Sequence, residues 1–490
     1  MGLMRFLVPQ PEQFTEEMLQ LSYLSGMDRT PWLARTRAEG AELVVERDVS
    51  ESGCLTVPWK VQGQGLLALS TATLLERPEP YLLPVELARG VLTQARNQLP
   101  EWQAIGLVVP DEVHQGLHDA TERLSRATVA QHDPAAASAS AQAALIAALD
   151  ASRRLAAAYS EQMLATRRRG GTKLPTLLGG ELAGPPLDDP AARQFLTAFN
   201  AAMVPMPWRE IEASEGSFEW TACDQRIQWC RAHGLKVMVG PLVQLDVRSL
   251  PDWVYLWEDD LDNLLDALSG FVRAAVTRYK GKADLWLCAG RMNATEVLSL
   301  SEEEKLRLTA GVLNLVSELD SAVPSVLAID QPWGEYLGRR HVDFPPMHFA
   351  DVLARAGLNL RALMLEINLG CFRGATMPRT ELELSRQLDY WSLLGLPLMV
   401  SLSVSSGNDD PLAQRQVKLA TGSASPQGQH AWIARNVPLM LAKGAVQGVF
   451  WNQLRDSVPH DFPRAGLFDD RGRPKPGLRA LAALRAIHLR

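Results

Sequence analysis

The sequence is poor in the features that would assign it to several large classes. It holds five cysteines in 490 residues, Cys54, Cys223, Cys230, Cys288 and Cys371, and none forms a CxxC pair. An odd, scattered set argues against a disulfide framework or a zinc ribbon and fits a reducing compartment. Cys223 and Cys230 fall seven apart on a predicted helix, so they share a face but sit about 10 Å apart along its axis, too far to bridge. No apolar run reaches the about 20 residues of a membrane span. The opening MGLMRFLVPQP has one Arg and a three-residue apolar run before Pro9, which is short of a secretory core. The expected location is therefore the cytoplasm, without membrane association. Basic residues cluster only at 167–169, a run expected to be a solvated helix end, and the net charge is −7, so nucleic acid is not an expected partner. No metal or cofactor is expected.

What is present is the composition of a globular chain, 47% hydrophobic and 21% charged, long enough for two or three domains. Residues 1–110 are β-rich. ELVVERDV (42–49), CLTVPWKV (54–61) and GLLALSTATL (65–74) have strand composition with Gly or Ser-Gly punctuation, and predict a small sandwich-like domain. Trp59, Tyr81 and Trp102 there are expected to be core aromatics. Residues 111–171 form a helical segment: an Ala- and Leu-rich stretch with 3.6-type periodicity starts after Asp133-Pro134 and breaks at RGGTKLP.

From 172 to 490 short apolar runs alternate with amphipathic helices. The runs are LPTLLGGEL, FNAAMVP, LKVMVGPL, DLWLCAG, SVLAIDQP, ALMLEIN, LPLMVSLSV and VQGVFWNQL. Eight strand–helix units predict an α/β fold, a closed (β/α)8 TIM barrel. The open doubly wound sheet is the alternative, but no GxGxxG follows the first strand. In a barrel, chemistry sits at the C-terminal ends of the strands. These ends supply Met203, Pro205, Gly240, Gln244, Arg291, Asn293, the 330–336 run DQPWGEY, Glu366, Asn368, Ser401, Ser403 and residues 451–456. Such a polar and aromatic set is a common lining for a sugar cleft.

Five pieces in order resemble glycoside hydrolase family 10, the endo-β-1,4-xylanases, over about residues 172–490. They are FNAAMVPMPWREIEASEGSFEWTACDQRIQWCRAHGLKVMVG with its Trp, Gly-x-Phe turn and GLKV segment; LPDWV (250–254); RYKGKADLW (278–286); GVFWNQLRDS; and AGLFDDRGRPKPGLRAL. The resemblance implies a sugar-binding barrel with an acid/base Glu ending the fourth strand and a nucleophile Glu ending the seventh. Aligned on Trp286, Arg291 stands at the first position, and Ser401 and Leu402 stand around the second. The charged run before the first Trp reads MVPMPW (203–208), and the strand that carries two His in the family reads GPLVQLD (240–246). None of the family's catalytic residues carries over.

Glycosidic hydrolysis needs two carboxyl groups across a cleft, one protonated and one ionised. The acids near the predicted mouth are Glu296, Asp330, Glu335, Glu366 and Asp456. Glu296 is expected to head the following helix in solvent. In LMLEIN, period-two alternation puts Met364, Glu366 and Asn368 on one face, so Glu366 points into the barrel, with Arg291 as its natural ion-pair partner. The candidate catalytic set is Glu366 with Asp330 or Glu335. The candidate substrate-binding set is Arg291, Asn293, Gln331, Trp333, Asn368, Trp451, Asn452, Gln453 and Asp456. Three readings remain open at this point: a hydrolase of O-glycosidic bonds with relocated carboxylates, a non-catalytic glycan binder, and a scaffold. An oligo- or polysaccharide is the expected ligand, and the sequence specifies no oligomeric state.

Overall fold

The computed structural model describes residues 2–168, 171–370, 375–408, 410 and 424–490. The N-terminal part is built from two four-stranded sheets. One runs in the order Arg35–Glu39, Glu42–Arg47, Gly2–Leu7, Tyr81–Leu82; the other runs Pro31–Trp32, Tyr23–Ser25, Cys54–Val61, Gly65–Ser70. Alternation explains the buried face: in Gly2–Leu7, Met4 and Phe6 are buried while Leu3 is exposed. Trp59 is buried, Tyr81 stacks on Phe6, and Trp102 stacks on Tyr159 with ring centroids 4.1 Å apart, so all three aromatics belong to the core.

Three helices follow, Leu83–Ala104, Asp111–Val129 and Pro134–Arg167, and pack on one another. The last starts where Asp133 accepts hydrogen bonds from the backbone N–H groups of Ala135 and Ala136 at 3.1 and 3.2 Å. Its buried face includes Ala137, Ala141, Ala144 and Ala148, small residues at helical spacing that let the neighbouring helices approach. The basic run at its end is only partly the solvated cap expected. Arg167 donates to the carbonyls of Leu441 and Lys443, and Arg168 reaches Nδ1 of His488 at 3.3 Å, so both tie this helix to the C-terminal half. Arg169 lies outside the described residues, as does Cys371; the other four cysteines are free and buried.

The C-terminal half is a closed barrel of eight parallel strands, here β1 (Leu177–Glu181), β2 (Ala201–Val204), β3 (Lys236–Val239), β4 (Leu285–Gly290), β5 (Ser325–Asp330), β6 (Leu360–Leu369), β7 (Leu398–Val404) and β8 (Val446–Trp451). It closes through β8 on β1, with Phe450 opposite Gly179 and Trp451 opposite Gly180. Side-chain parity sorts each strand into two faces. Ala201, Met203, Met238, Leu287, Val326, Ala328, Ala362, Met364, Met399 and Phe450 fill the barrel interior. The alternate positions, such as Leu363, Leu365, Ile367, Leu402 and Val404, pack outward on the helices. Phe450 plugs the floor, and a Cβ on Gly179 would come within 2.4 Å of its ring.

The N-terminal strand-rich part docks on the barrel's C-terminal end. Ala34 N–H donates to Gly338 O at 3.1 Å and Ala68 N–H to Pro378 O at 2.7 Å, so it meets the loops that follow β5 and β6. That placement decides which strand-end residues are left to form a site.

Candidate functional site

Parity carries the inward faces upward from the apolar layer to the mouth. β1 continues Leu177 and Gly179 with Glu181; β5 continues Val326 and Ala328 with Asp330; β6 continues Ala362 and Met364 with Glu366 and Asn368. On β7 the inward positions after Met399 are Ser401 and Ser403, and Leu402 is buried among the helices. Asp330 and Glu366 are directly paired in register on neighbouring strands.

Arg291 follows β4 and occupies the centre. Its φ is +59°, a left-handed conformation that costs roughly 1–2 kcal/mol for a residue with a Cβ. The guanidinium compensates with three carboxylates: Nη1 to Asp246 at 2.8 Å, Nη1 to Asp461 at 3.1 Å and Nε to Glu366 at 3.5 Å. Burial opposes its charge, but Glu366, Asp246, Asp461 and Asp330 together hold it well above its ordinary value. The network extends further. Asp246 also accepts from Gln244 Nε2 and from the N–H groups of Arg248 and Ser249, and Asp461 accepts from Arg248 Nη1 at 3.0 Å. Gly290 leaves room for it, since a Cβ there would stand 3.3 Å from Gln244 Oε1 and 3.5 Å from Glu366 Oε1.

Glu181 faces the same cluster and behaves differently. It is half-buried, and no hydrogen bond to its carboxyl is found among the described residues. Burial pushes it up to about 8; Arg291 and Arg248 oppose the rise, and the negative charges of Glu366 and Asp461 add to it. At neutral pH the mouth thus holds a protonated carboxyl beside a set of ion-paired ones.

The other expected residues are placed as follows. Asn368 lies over Glu366, Nδ2 to Oε2 at 3.5 Å, and accepts from Asn452 Nδ2 at 3.3 Å, so Glu366, Asn368 and Asn452 are brought together with Arg291. Asn293 is buried and clamps the backbone of Asp330, donating to its carbonyl at 2.9 Å and accepting from its N–H at 3.0 Å. Asp330 accepts from the N–H of Gln331 at 2.9 Å, and Gln331 turns the chain with φ +47°.

Glu335 is drawn away from the mouth. It pairs with Arg379 at 2.6 Å and accepts from Met377 N–H at 3.1 Å, and Arg379 also donates to Tyr23 OH at 2.9 Å. Burial pushes Glu335 up, against the opposing pull of Arg379. Trp333 is buried under the Arg379 guanidinium, 4.9 Å from its ring centroid. Trp333 and Glu335 of the DQPWGEY run thus contact Arg379, which bonds Tyr23 of the N-terminal part, whereas Asp330 stays at the end of β5.

Residues after β8 are likewise absorbed by the closing loop. Trp451 donates to Ala465 O at 2.9 Å; Gln453 reaches Asp456 at 3.3 Å; and Asp456 accepts from Gly466 N–H at 2.8 Å and pairs with buried Lys475 at 2.5 Å. Trp333 and Trp451 present no ring to the mouth. Glu296 is exposed beside Arg340, as expected of a residue ahead of the Ser301-capped helix. The mouth residues that sequence reasoning missed are Glu181, Asp246, Arg248 and Asp461. Parity in LLGGEL is a signal that would have found the first. Among the described residues, no group of three carboxylate, imidazole or thiol side chains is arranged to hold a metal ion, and no helix is long and apolar enough to cross a membrane.

The family model for glycosyl hydrolase family 10 matches residues 190–288, which span the second to fourth strands. This is a family-10-like barrel. Among solved structures it is similar to a GH10 endoxylanase retrieved from a sugarcane soil metagenome, at 14% identity and TM-score 0.49, covering 63% of this chain and 97% of that one. It is also similar to xylanase 10B from Thermotoga maritima, at 15% and 0.49, covering 67% and 98%. A third is xylanase 10B from Thermotoga petrophila RKU-1 in complex with xylobiose, at 16% and 0.48, covering 67% and 97%. The barrel accounts for the C-terminal two thirds of the chain; a strand-rich part and three long helices precede it.

Proposed function

We propose that the mouth of the family-10-like barrel binds a saccharide and does not cleave it by the family's two-glutamate route. The observation that carries this reading is Arg291. The resemblance places the family's acid/base at 291, and there a guanidinium is held by Asp246, Asp461 and Glu366. Neither Ser401 nor Leu402 supplies a carboxyl on β7, and Leu402 packs away from the mouth. Asp330 and Glu335, the other candidate acids, are engaged with Gln331 N–H and with Arg379. What remains accessible is a set of donors and acceptors, Glu181, Gln244, Arg291, Asn452 and Asp461, all partly exposed. Sugar hydroxyls both donate and accept, and such a mixed set matches them.

A second reading has one specific observation in its favour. Glu181 keeps its proton near neutral pH while Glu366 sits beside a guanidinium, and a protonated and an ionised carboxyl are the requirement for hydrolysis. Calorimetry against xylo-, cello- and manno-oligosaccharides, with product analysis of each sample, separates the two. Binding without products, weakened by Asn452→Ala, is the expected result. Products that disappear in both Glu181→Gln and Glu366→Gln would replace the binding reading with the hydrolytic one. Absence of binding to every member of the panel would overturn both.

A further inference from the structure

A cavity of about 270 Å³ lies away from the mouth, between the Gly63–Leu67 region of the N-terminal hairpin, the 34-residue helix and the β6–β7 side of the barrel. Leu369 and Val404 line it, and both belong to the outward, helix-facing parity of their strands, opposite to Glu366 and Asn368. It is thus a separate site from the one described above. Its volume lies near the lower end of small-molecule pockets, about 300–1,000 Å³.

Arg153, Arg379, Arg435 and Glu381 line it, and the charge of Arg379 is met outside the cavity by Glu335. Two of these guanidiniums share a single oxygen: Arg435 Nε lies 3.2 Å and Arg153 Nε 3.7 Å from Glu381 Oε1. Arg153 also meets half-exposed Asp150 at 3.2 Å and Gln64 at 2.8 Å. Burial pushes Arg435 below its ordinary value, Glu381 opposes this, and Arg153 adds to it by like-charge repulsion. Arg379 is more than nine-tenths buried, and its Nε–H finds no acceptor among the described residues; the same holds for a hydrogen bond to Arg153 Nε–H. The helices Glu381–Ser392 and Pro426–Ala442 both begin at the cavity, with Thr380 and Gly428 in its wall. Both N-termini are capped, Ser425 Oγ accepting from Gly428 N–H at 2.9 Å and Thr380 Oγ1 from Glu383 N–H at 3.2 Å, and each carries the partial positive charge of a helix start.

We propose that this interdomain cavity binds a small oxyanion-bearing ligand, a phosphorylated or carboxylated sugar of about monosaccharide size. A guanidinium pair presents the fork that phosphate and carboxylate groups accept from. Trp432, Leu66 and Leu67 offer apolar wall for the carbon skeleton, and Asn436 offers hydrogen bonds to hydroxyls. A bound anion would relieve the repulsion between Arg153 and Arg435. Because strand-rich part, long helix and barrel all contribute walls, the ligand would also fasten the N-terminal part to the barrel.

The test is calorimetry of the full chain, at fixed ionic strength, against glucose 6-phosphate, glucuronate and glucose. Saturable, submillimolar binding of at least one of the two anions and none of glucose is expected, and the anion preferred identifies phosphate or carboxylate as the group recognised. Arg435→Gln should weaken binding at least about tenfold, with the circular dichroism spectrum unchanged. Should Arg435→Gln not fold, Trp432→Ala is expected to weaken the same binding without removing a charge. Glu366→Gln should leave it unaltered, which separates this site from the mouth. No heat with either anion at about 10 mM, or binding that Arg435→Gln and Trp432→Ala both leave intact, would overturn the proposal.

Discussion

Arg291 Nε and Glu366 Oε2 stand 3.5 Å apart, one on the residue that follows β4 and one on β6, strands separated by β5. Together with Asp246 and Asp461 they form an ion cluster at the mouth of the barrel. Removing one partner of a buried ion pair is far more damaging than replacing both, because the remaining charge is stranded. Arg291→Met should therefore cost about 3–5 kcal/mol in urea denaturation at neutral pH. The loss should shrink on acidification, as the stranded carboxylates take up protons. A loss below about 1 kcal/mol would show that solvent already screens the cluster.

Glu181 makes stability depend on pH in a definite direction. Its folded carboxyl holds a proton up to about pH 8, whereas the ordinary value is 4.5. Between those limits the folded state binds more protons than the unfolded state. The stabilisation is complete below the lower value and is lost as pH rises through the higher one. Glu181→Gln should remove this part of the slope, so the stabilities of variant and parent converge near pH 4, diverge in the variant's favour as pH rises from 4.5, and keep a constant difference above about pH 8. Parallel curves across the range would contradict the assignment.

How far the sequence foretold these contacts differs between strands and loops. The eight strands follow from alternation of apolar runs and amphipathic helices, and period two alone aimed Glu366 into the barrel. The same argument applies to Glu181, which shares a face with Leu177 and Gly179, but the run LLGGEL carries two glycines and so shows little side-chain pattern to count. Loop residues were not legible in this way. Trp333 and Glu335 look like site chemistry in DQPWGEY, yet their partners include Arg379 and, through it, Tyr23 more than 300 residues away. Trp451 and Asp456 are claimed by residues 464–475. A strand's period is local, whereas a loop's conformation is set by whatever docks on it.

The Tyr23–Arg379–Glu335 contact fastens the N-terminal part to the barrel, and its members differ in what they leave behind. Tyr23→Phe removes the hydrogen bond to the charged Arg379 together with one to Thr56, for a cost of about 1.5–3 kcal/mol. Arg379→Met strands buried Glu335 as well and should cost about 3–5 kcal/mol. Chemical denaturation followed by tryptophan fluorescence ranks the two. Equal effects would show that Glu335 takes a proton and tolerates the loss of its partner.

The barrel floor offers a steric prediction. A Cβ at Gly179 meets the Phe450 ring at 2.4 Å, so Gly179→Ala should destabilise the chain by about 1–3 kcal/mol through overpacking. The double variant Gly179→Ala, Phe450→Leu should recover part of that loss. If the single variant is neutral in a thermal melt, Phe450 is free to shift and does not fix the floor.

The central proposal is that the mouth around Arg291 binds a saccharide without cleaving it. The direct measurement is calorimetry of the purified chain with xylo-, cello- and manno-oligosaccharides, each sample then analysed for shorter products. The account predicts saturable binding to at least one saccharide, weakened in Asn452→Ala, and intact oligosaccharide after prolonged incubation. Shortened products that vanish in Glu181→Gln and Glu366→Gln would contradict it.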